Sequence, residues 1–339
     1  MTRTPGPPTQ PAFPTEQEEA GTGGCHPVDL PVRRGHAFQA LAVKGGPGVK
    51  VIVLGTAAGG GVPQWNCACG PCTAVRAGHL PARTQDALAV TGNGRDWWLV
   101  NTSPDIGAQL TATPALAPGP GPRDTPVSGV LFTDAELDHT LGLPVLRGAP
   151  GLHVHAPATV LHALAPTRAV LDTYSEWSWH ESEPEQTTLL DGGLEVTTIP
   201  VSGKRPRYVT DSPQPDPWVV AYRFRDPATG GVLLYAPCLA SWPPGFDALL
   251  DETDVVLLDG TFFAPTEMGT ATGRPSGQAG MGHLPIAHSL PELRAHATTR
   301  RIYTHLNNTN PVLDPTSPEH AEITGAGVEV VTDGTVLVL

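Results

Sequence analysis

The 339-residue chain has no apolar run approaching the roughly 18–20 residues needed to cross a bilayer, which excludes a membrane-spanning helix. Its first 25 residues lack the apolar stretch of a secretory signal, so a cytoplasmic location is expected. Positive charge is scarce: 20 Lys and Arg against 33 Asp and Glu leave a net charge of −13. That balance argues against a nucleic-acid partner, whose affinity comes largely from Lys and Arg contacts to phosphate. Cysteine is sparse too, with five in all, yet three fall within six residues. In a reducing compartment such clustered thiols more often hold metal than pair as disulfides. Glycine and proline are what abound, 38 of each and without a period, which excludes collagen and favours a loop-rich globular fold over a helical bundle.

Residues 1–48 hold eight Pro and eight Gly with no apolar periodicity, and read as a disordered or loosely attached extension of a single domain over 49–339. Beyond Val49, short β-branched and apolar runs alternate with turn residues. Strands are expected at 49–54, 88–91, 97–101, 129–133, 152–155, 194–200, 218–224, 232–236, 254–259 and 301–304. A closing hairpin is expected at 328–331 and 336–339, turning on Asp333-Gly334. Helices are expected at 71–78, 140–147, 157–164, 290–299 and 318–324, with Ser289 and Glu292 as a capping box and Pro318 at a first helical position. Many strands with interspersed helices fit a layered α/β or αββα sandwich. Four strand ends carry metal-competent or polar residues: Asn101 running on to Asp105, Thr133-Asp134, Asp259 and His305. Ligands gather at the carboxyl ends of strands in such sheets, so one convergent site is expected there.

After the first strand, Gly55 to Gly61 has phosphate-loop spacing but lacks the required Lys-Ser/Thr, and reads as a tight turn needing positive φ. Cys67-Ala-Cys69-Gly-Pro-Cys72 follows, a CxCxxC spacing whose thiolates converge on one tetrahedral Zn²⁺ of structural type. Its fourth ligand stays open between Asn308, in reach if the loop after His305 packs here, Cys238 and a His. The second cluster is Thr133-Asp134-Ala135-Glu136-Leu137-Asp138-His139. Its spacing is that of HxHxDH, the metal-binding signature of the metallo-β-lactamase superfamily, with Asp134 and Glu136 at the two leading His positions. Asp259 resembles that superfamily's bridging Asp, and His305 its last His ligand. Asp138, His139 and His305 make one carboxylate and two imidazoles, the donor set of non-haem Fe(II) oxygenases, although it also accepts Zn²⁺, Mn²⁺ or Cu²⁺. Asp105 and Asp259 read as further ligands or as groups orienting the His rings. Asp134 and Glu136 also fit plain loop carboxylates. His283 follows Gly269, Gly273, Gly277, Gly280 and Gly282, and reads either as an acid/base on a mobile loop over the site or as a His preceding a helix. Tyr174, Trp177 and Trp179 fit core packing better than a pocket wall.

Further motifs make the resemblance specific. Val53 to Cys67, Arg83-Thr84-Gln85, Ser103-Pro104-Asp105-Ile106, Ala135 to His139, Met281 to Pro285 and Asn307 to Pro311 resemble the pyrroloquinoline quinone (PQQ) biosynthesis protein B family from about residue 49 onward. The departures are the N-terminal extension and Asp86-Ala87, where small Ser-type residues are common; neither is expected to touch the site. The resemblance implies a metallo-β-lactamase αββα fold, a structural zinc on Cys67, Cys69 and Cys72, and a homodimer associated with that zinc region. It implies work alongside other PQQ biosynthesis proteins on a precursor built from a Glu and a Tyr of a peptide. The activity it implies is oxidation or hydroxylation of the tyrosine-derived ring with iron and O₂; Asp105 and His283, from the reading of the residues themselves, are the candidate catalytic groups. A carrier of PQQ or its precursor to the periplasm, and a metal-dependent hydrolase of phosphodiesterase type, are the alternatives.

Overall fold

A computed structural model describes residues 48–212, 215, 217–272 and 278–339. The extension read over residues 1–48 lies outside the described residues up to 47, as do Cys25, Gly273 and Gly277 of the glycine-rich stretch. Two seven-stranded sheets form. In chain order the strands are β1 (Lys50–Gly55), β2 (Ala87–Thr91), β3 (Trp97–Val100), β4 (Val127–Leu131), β5 (His153–Ala156), β6 (Ser178–Glu181) and β7 (Thr187–Leu190). Then come β8 (Leu194–Ser202), β9 (Val219–Arg225), β10 (Val232–Ala236), β11 (Val255–Asp259), β12 (Arg300–Thr304), β13 (Val328–Val330) and β14 (Val336–Val338). One sheet runs β14-β1-β2-β3-β4-β5-β6, the other β13-β12-β11-β10-β9-β8-β7.

Alternation along each strand builds three apolar layers. Val51, Val53, Leu88, Val90 and Val100 face Tyr222, Phe224, Leu233, Tyr235 and Leu257 across the centre, all fully buried. Ile52, Leu54 and Leu99 point the other way, onto Ile106, Leu143 and Val160 of the helical segments over the first sheet. Leu234, Leu258 and Tyr303 pack outward onto Ile286, Leu290 and Leu293 of the helix over the second. With both faces covered, the strands read as continuous apolar runs. The layers are α, β, β, α.

Several expectations need correction. Val328–Val330 and Val336–Val338 form no hairpin: β13 pairs with β12 and β14 with β1, so the chain crosses between sheets at Asp333. The Asp333 carboxylate explains the crossing, because Thr56 and Thr84 Oγ1 and Thr84 N all donate to it. Ser289 is no cap; it lies inside the helix Ile286–Ala295 with Oγ 2.8 Å from the Tyr303 hydroxyl. The helix expected at 140–147 divides into Leu137–Thr140 and a 3₁₀ turn at Leu143–Leu146. Gly142 sits at the break, where an added Cβ would lie 2.0 Å from the Ser103 carbonyl oxygen. Strands β6 and β7 and the helices Ile106–Ala112, Ala165–Leu171, Phe246–Asp251 and Glu267–Thr272 were not expected. Pro318 opens its helix as expected, and Ser317 caps it, its side chain accepting from His320 N. Trp177 and Trp179 pack against the apolar layer over the first sheet, while Tyr174 is exposed.

His296 closes the helix Ile286–Ala295, its Nδ1 2.7 Å from Asp251 and its Nε2 3.0 Å from Asp247. Burial opposes its charge, but the two carboxylates overcome this and raise its pKa. A raised native pKa gives stability that is complete below the unfolded value near 6.5 and lost as pH rises through the native one. Both carboxylates are exposed, so the contribution is about 1 kcal/mol. His296→Gln should therefore lower Tm by a few degrees at pH 6 and progressively less toward pH 9, read from thermal scans across that range.

Candidate metal centre

The ends of β4, β10, β11 and β12 open on a cavity of about 510 Å³. Asp138, His139, Cys238, Thr261, His283 and His305 line it. His139 enters from the short helix after β4. Its Nδ1 lies 2.8 and 2.9 Å from the two oxygens of Asp134, while its Nε2 is buried and meets no hydrogen-bond partner. His305 follows β12 directly in a left-handed backbone conformation (φ 56°). Its Nδ1 is 2.8 Å from Thr261 Oγ1; its Nε2 is likewise buried and unbonded, 3.4 Å from Asp138 Oδ2 without hydrogen-bond alignment. The Cys238 sulfur lies within 4.8 Å of a ligating nitrogen of both imidazoles. Two orphaned buried nitrogens beside a thiol and a carboxylate are what a bound cation would satisfy, so the donor set fits one.

The charges agree. Burial opposes protonation of His139, but Asp134 and then Asp138 hold its pKa up at about 10. Asp138 itself is held well below the usual carboxylate range, the His139 and His305 rings outweighing its burial. Carboxylates therefore create a strongly negative field around the two rings.

The remaining sequence-predicted residues separate. Asp259 accepts four hydrogen bonds: from Leu239 N at 2.8 Å, Thr261 N at 3.0 Å, Thr261 Oγ1 at 2.6 Å and His283 Nδ1 at 2.8 Å. With Thr261 also on His305 Nδ1, Asp259 orients both rings, and this arrangement favours the orienting alternative over ligation. His283 stacks on His305 at 5.2 Å and lines the cavity, with Asp259 and Thr261 holding its Nδ1. Glu136 reaches the cavity rim and pairs with Lys204 at 2.9 Å, whose stem lies across Gly282. Asp105 is not brought in. It heads the helix Ile106–Ala112, accepts from Gln85 N and Nε2 at 2.9 and 3.1 Å, and is absent from the cavity wall, which corrects its candidacy as a catalytic group. The loop after β1 turns on Gly60 and Gly61, both at positive φ, and a Cβ at Gly59 would lie 3.1 Å from Asp138 Oδ2.

Two residues escaped the sequence reading of the centre. Cys238 has no spacing motif of its own, since its partners are 99 and 67 residues away in the chain. Asp86 was set aside as remote, yet it is buried and accepts hydrogen bonds from Tyr235 and from Thr304, the residue before His305.

At the rim the three sulfurs of Cys67, Cys69 and Cys72 lie within 4.8 Å of one another. Asn308 covers them, its Nδ2 placed 3.1, 3.5 and 3.4 Å from the respective sulfurs. Burial pushes the Cys69 thiol up to about 12, and the neighbouring sulfurs add to it. Three thiolates cannot share this space without a cation, and turning the Asn308 amide over presents Oδ1 as a fourth donor. Among the open alternatives for that position, Asn308 is the one in place. Cys238 belongs to the other group.

Residues 96–306 match a β-lactamase superfamily domain, a span covering more than half of the chain and every candidate cavity ligand described above. The protein is a member of that superfamily. Coenzyme PQQ synthesis protein B of Cupriavidus necator is 40% identical over 296 residues, 83% of this chain and 97% of that protein. The protein of the same name from Nitrosococcus oceani is 37% identical over 308 residues, 85% of this chain and 99% of that one. The crystal structure of Zn²⁺-bound PqqB from Methylobacterium extorquens superposes with a TM-score of 0.80 at 34% identity, over 86% of this chain and 100% of that one. The chain belongs to the coenzyme PQQ synthesis protein B family. A diphosphatase of the PhnP family shares the fold at a TM-score of 0.62 and 19% identity.

Proposed function

We propose that this chain acts in PQQ biosynthesis as a metal-dependent oxidoreductase, adding oxygen to the tyrosine-derived ring of a PQQ precursor. The observation that carries this reading is the pair of buried, unbonded Nε2 atoms of His139 and His305, gathered with Cys238 and Asp138 at one end of the cavity. A two-metal hydrolytic centre would draw on the two leading positions of the motif. Here Asp134 is spent on His139 and Glu136 on Lys204. Asp259, His283 and His305 also gather as three donors, but they share His305 with the first group, and Asp259 and His283 are tied to each other by a hydrogen bond, which favours one cation over two. Two imidazoles and a carboxylate favour Fe²⁺, with Zn²⁺, Mn²⁺ or Cu²⁺ also accepted; Cys238 adds a soft donor. Bound there, iron would supply the O₂ chemistry at its open positions.

The chain's own groups do the rest. Asp134 and Thr261 engage the Nδ1 atoms, leaving each Nε2 lone pair for the cation. His283, held at Nδ1 by Asp259, offers its other nitrogen to take a proton from the ring being oxidised. Cys67, Cys69, Cys72 and Asn308 hold a structural Zn²⁺. Trp65, 86% exposed and two residues from Cys67, belongs to the homodimer contact.

Protein purified without oxygen should carry about one Zn and one Fe per chain. Given O₂, a two-electron reductant such as ascorbate and a precursor with a tyrosine-derived ring, it should consume O₂ and yield a product heavier by one oxygen in mass spectrometry, the second oxygen atom leaving as water. Turnover of a phosphodiester with Zn²⁺ or Mn²⁺ and no O₂ uptake would overturn the reading in favour of a hydrolase. Tight precursor binding without metal-dependent turnover would overturn it in favour of a carrier.

A further inference from the structure

Asp86 lies just before β2, in none of the three groups of candidate ligands, and is 1% exposed. One carboxylate oxygen accepts from the Tyr235 hydroxyl on β10, the other from Thr304 Oγ1 on β12. Both partners are fully buried. Tyr235 lies three residues before Cys238, and Thr304 immediately before His305. β10 and β12 are not neighbours; β11 separates them, so no backbone ladder sets the spacing of their ends directly. Asp86 N in turn donates to the Ala57 carbonyl at 2.7 Å, and Leu306 N to the Thr56 carbonyl at 2.8 Å, which fixes β12's exit against the same loop.

Burying a carboxylate is costly, and an apolar trio of similar volume would pack there at lower cost to the fold. A buried acidic side chain placed under two strands that carry candidate ligands points to a role other than core stability. We propose that Asp86 is a positioning residue that spans β10 and β12, fixing Cys238 and His305 at the spacing a single cation requires. This rests on the reading of His139, Cys238 and His305 as ligands of one metal.

The full chain, preloaded with one equivalent of Zn²⁺ for the cysteine cluster, is titrated with Co²⁺ against a competing chelator. Absorption from the Cys238 thiolate–cobalt contact reports the centre. Asp86→Asn and Thr304→Val should each weaken Co²⁺ binding by roughly 10–100-fold and reduce that absorption. Thr304→Ser, which keeps the hydroxyl, should bind within about threefold of wild type, well below the roughly 10–100-fold loss expected when such a supporting contact is removed. Thermal scans without metal read any folding defect separately. Wild-type affinity and spectrum in both Asp86→Asn and Thr304→Val would overturn the role of Asp86. A wild-type chain that takes up no second equivalent, or does so without a thiolate band, would instead overturn the ligand reading on which it rests.

Discussion

A chain carrying His305→Asn should lose metal from the cavity centre and more than about 100-fold of its turnover, while its Tm stays within a few degrees of wild type. The choice of asparagine follows from the backbone. His305 sits at φ 56°, a conformation that Asn tolerates better than Ala or a β-branched residue. His139→Ala would be a poorer probe, because it strands the Asp134 carboxylate, 1% exposed, beside no cation. Removing one partner of such a buried pair costs about 3–5 kcal/mol, and the unfolding would mask the chemistry. Asp134→Asn is the graded companion: the His139 ring stays but its orienting charge goes, for an expected loss of roughly 10–100-fold in metal affinity or activity. Chelator competition and metal analysis of the folded protein measure both. Full metal occupancy in His305→Asn would remove His305 from the centre.

How much of this centre was readable in the chain depends on distance along it. Asp134, Glu136, Asp138 and His139 fall within six residues, so their spacing marked them together as candidates, and the cysteine cluster stood out for the same reason. Cys238 was not, because only the pairing of β10 with β11 and β11 with β12 carries its loop to His305. Asp105 misled in the opposite way. It follows a strand, as Asp259 does, but it stands at the head of a helix with its carboxylate turned back onto Gln85, and nothing in an Asp after a strand separates these outcomes. For the fold, apolar runs buried on both faces gave the central strands. The edge strands Ser178–Glu181 and Thr187–Leu190 are largely exposed or half-buried and polar, and so carried no such signal. The false hairpin at the C-terminus has the same origin: Asp333-Gly334 is a sound turn sequence, and only long-range bonds from Thr56 and Thr84 send the two strands to different sheets.

Removing the zinc proposed on Cys67, Cys69 and Cys72 should lower stability more than any single substitution in the cavity. Cys72 is fully buried at the start of the helix Gly70–Arg76, and its sulfur also accepts from Gln64 N at 3.3 Å. Cys72→Ser leaves two thiols and one amide, too few for a closed tetrahedral site. A structural zinc binds the folded state far more tightly than the unfolded one, so its loss appears directly as lost folding free energy. A loss of several kcal/mol in a chain of this size corresponds to a Tm roughly 10 °C lower or more. Asn308→Ala removes one donor of four and should fall between Cys72→Ser and wild type. The damage should also reach the cavity. Asn308 stands three residues after His305, in a loop pinned by Asn310 Nδ2 on the Gly260 carbonyl and by Thr309 Oγ1 on Glu267, each within 2.8 Å. Releasing Asn308 frees one anchor of that loop, so Cys72→Ser should weaken metal binding at His305 although it touches no group there. Chelator treatment of the wild type should reproduce the lower Tm, and the same treatment of Cys72→Ser should add little to it. Equal Tm values for wild type, Cys72→Ser and chelator-treated protein would reduce the three cysteines to packed thiols.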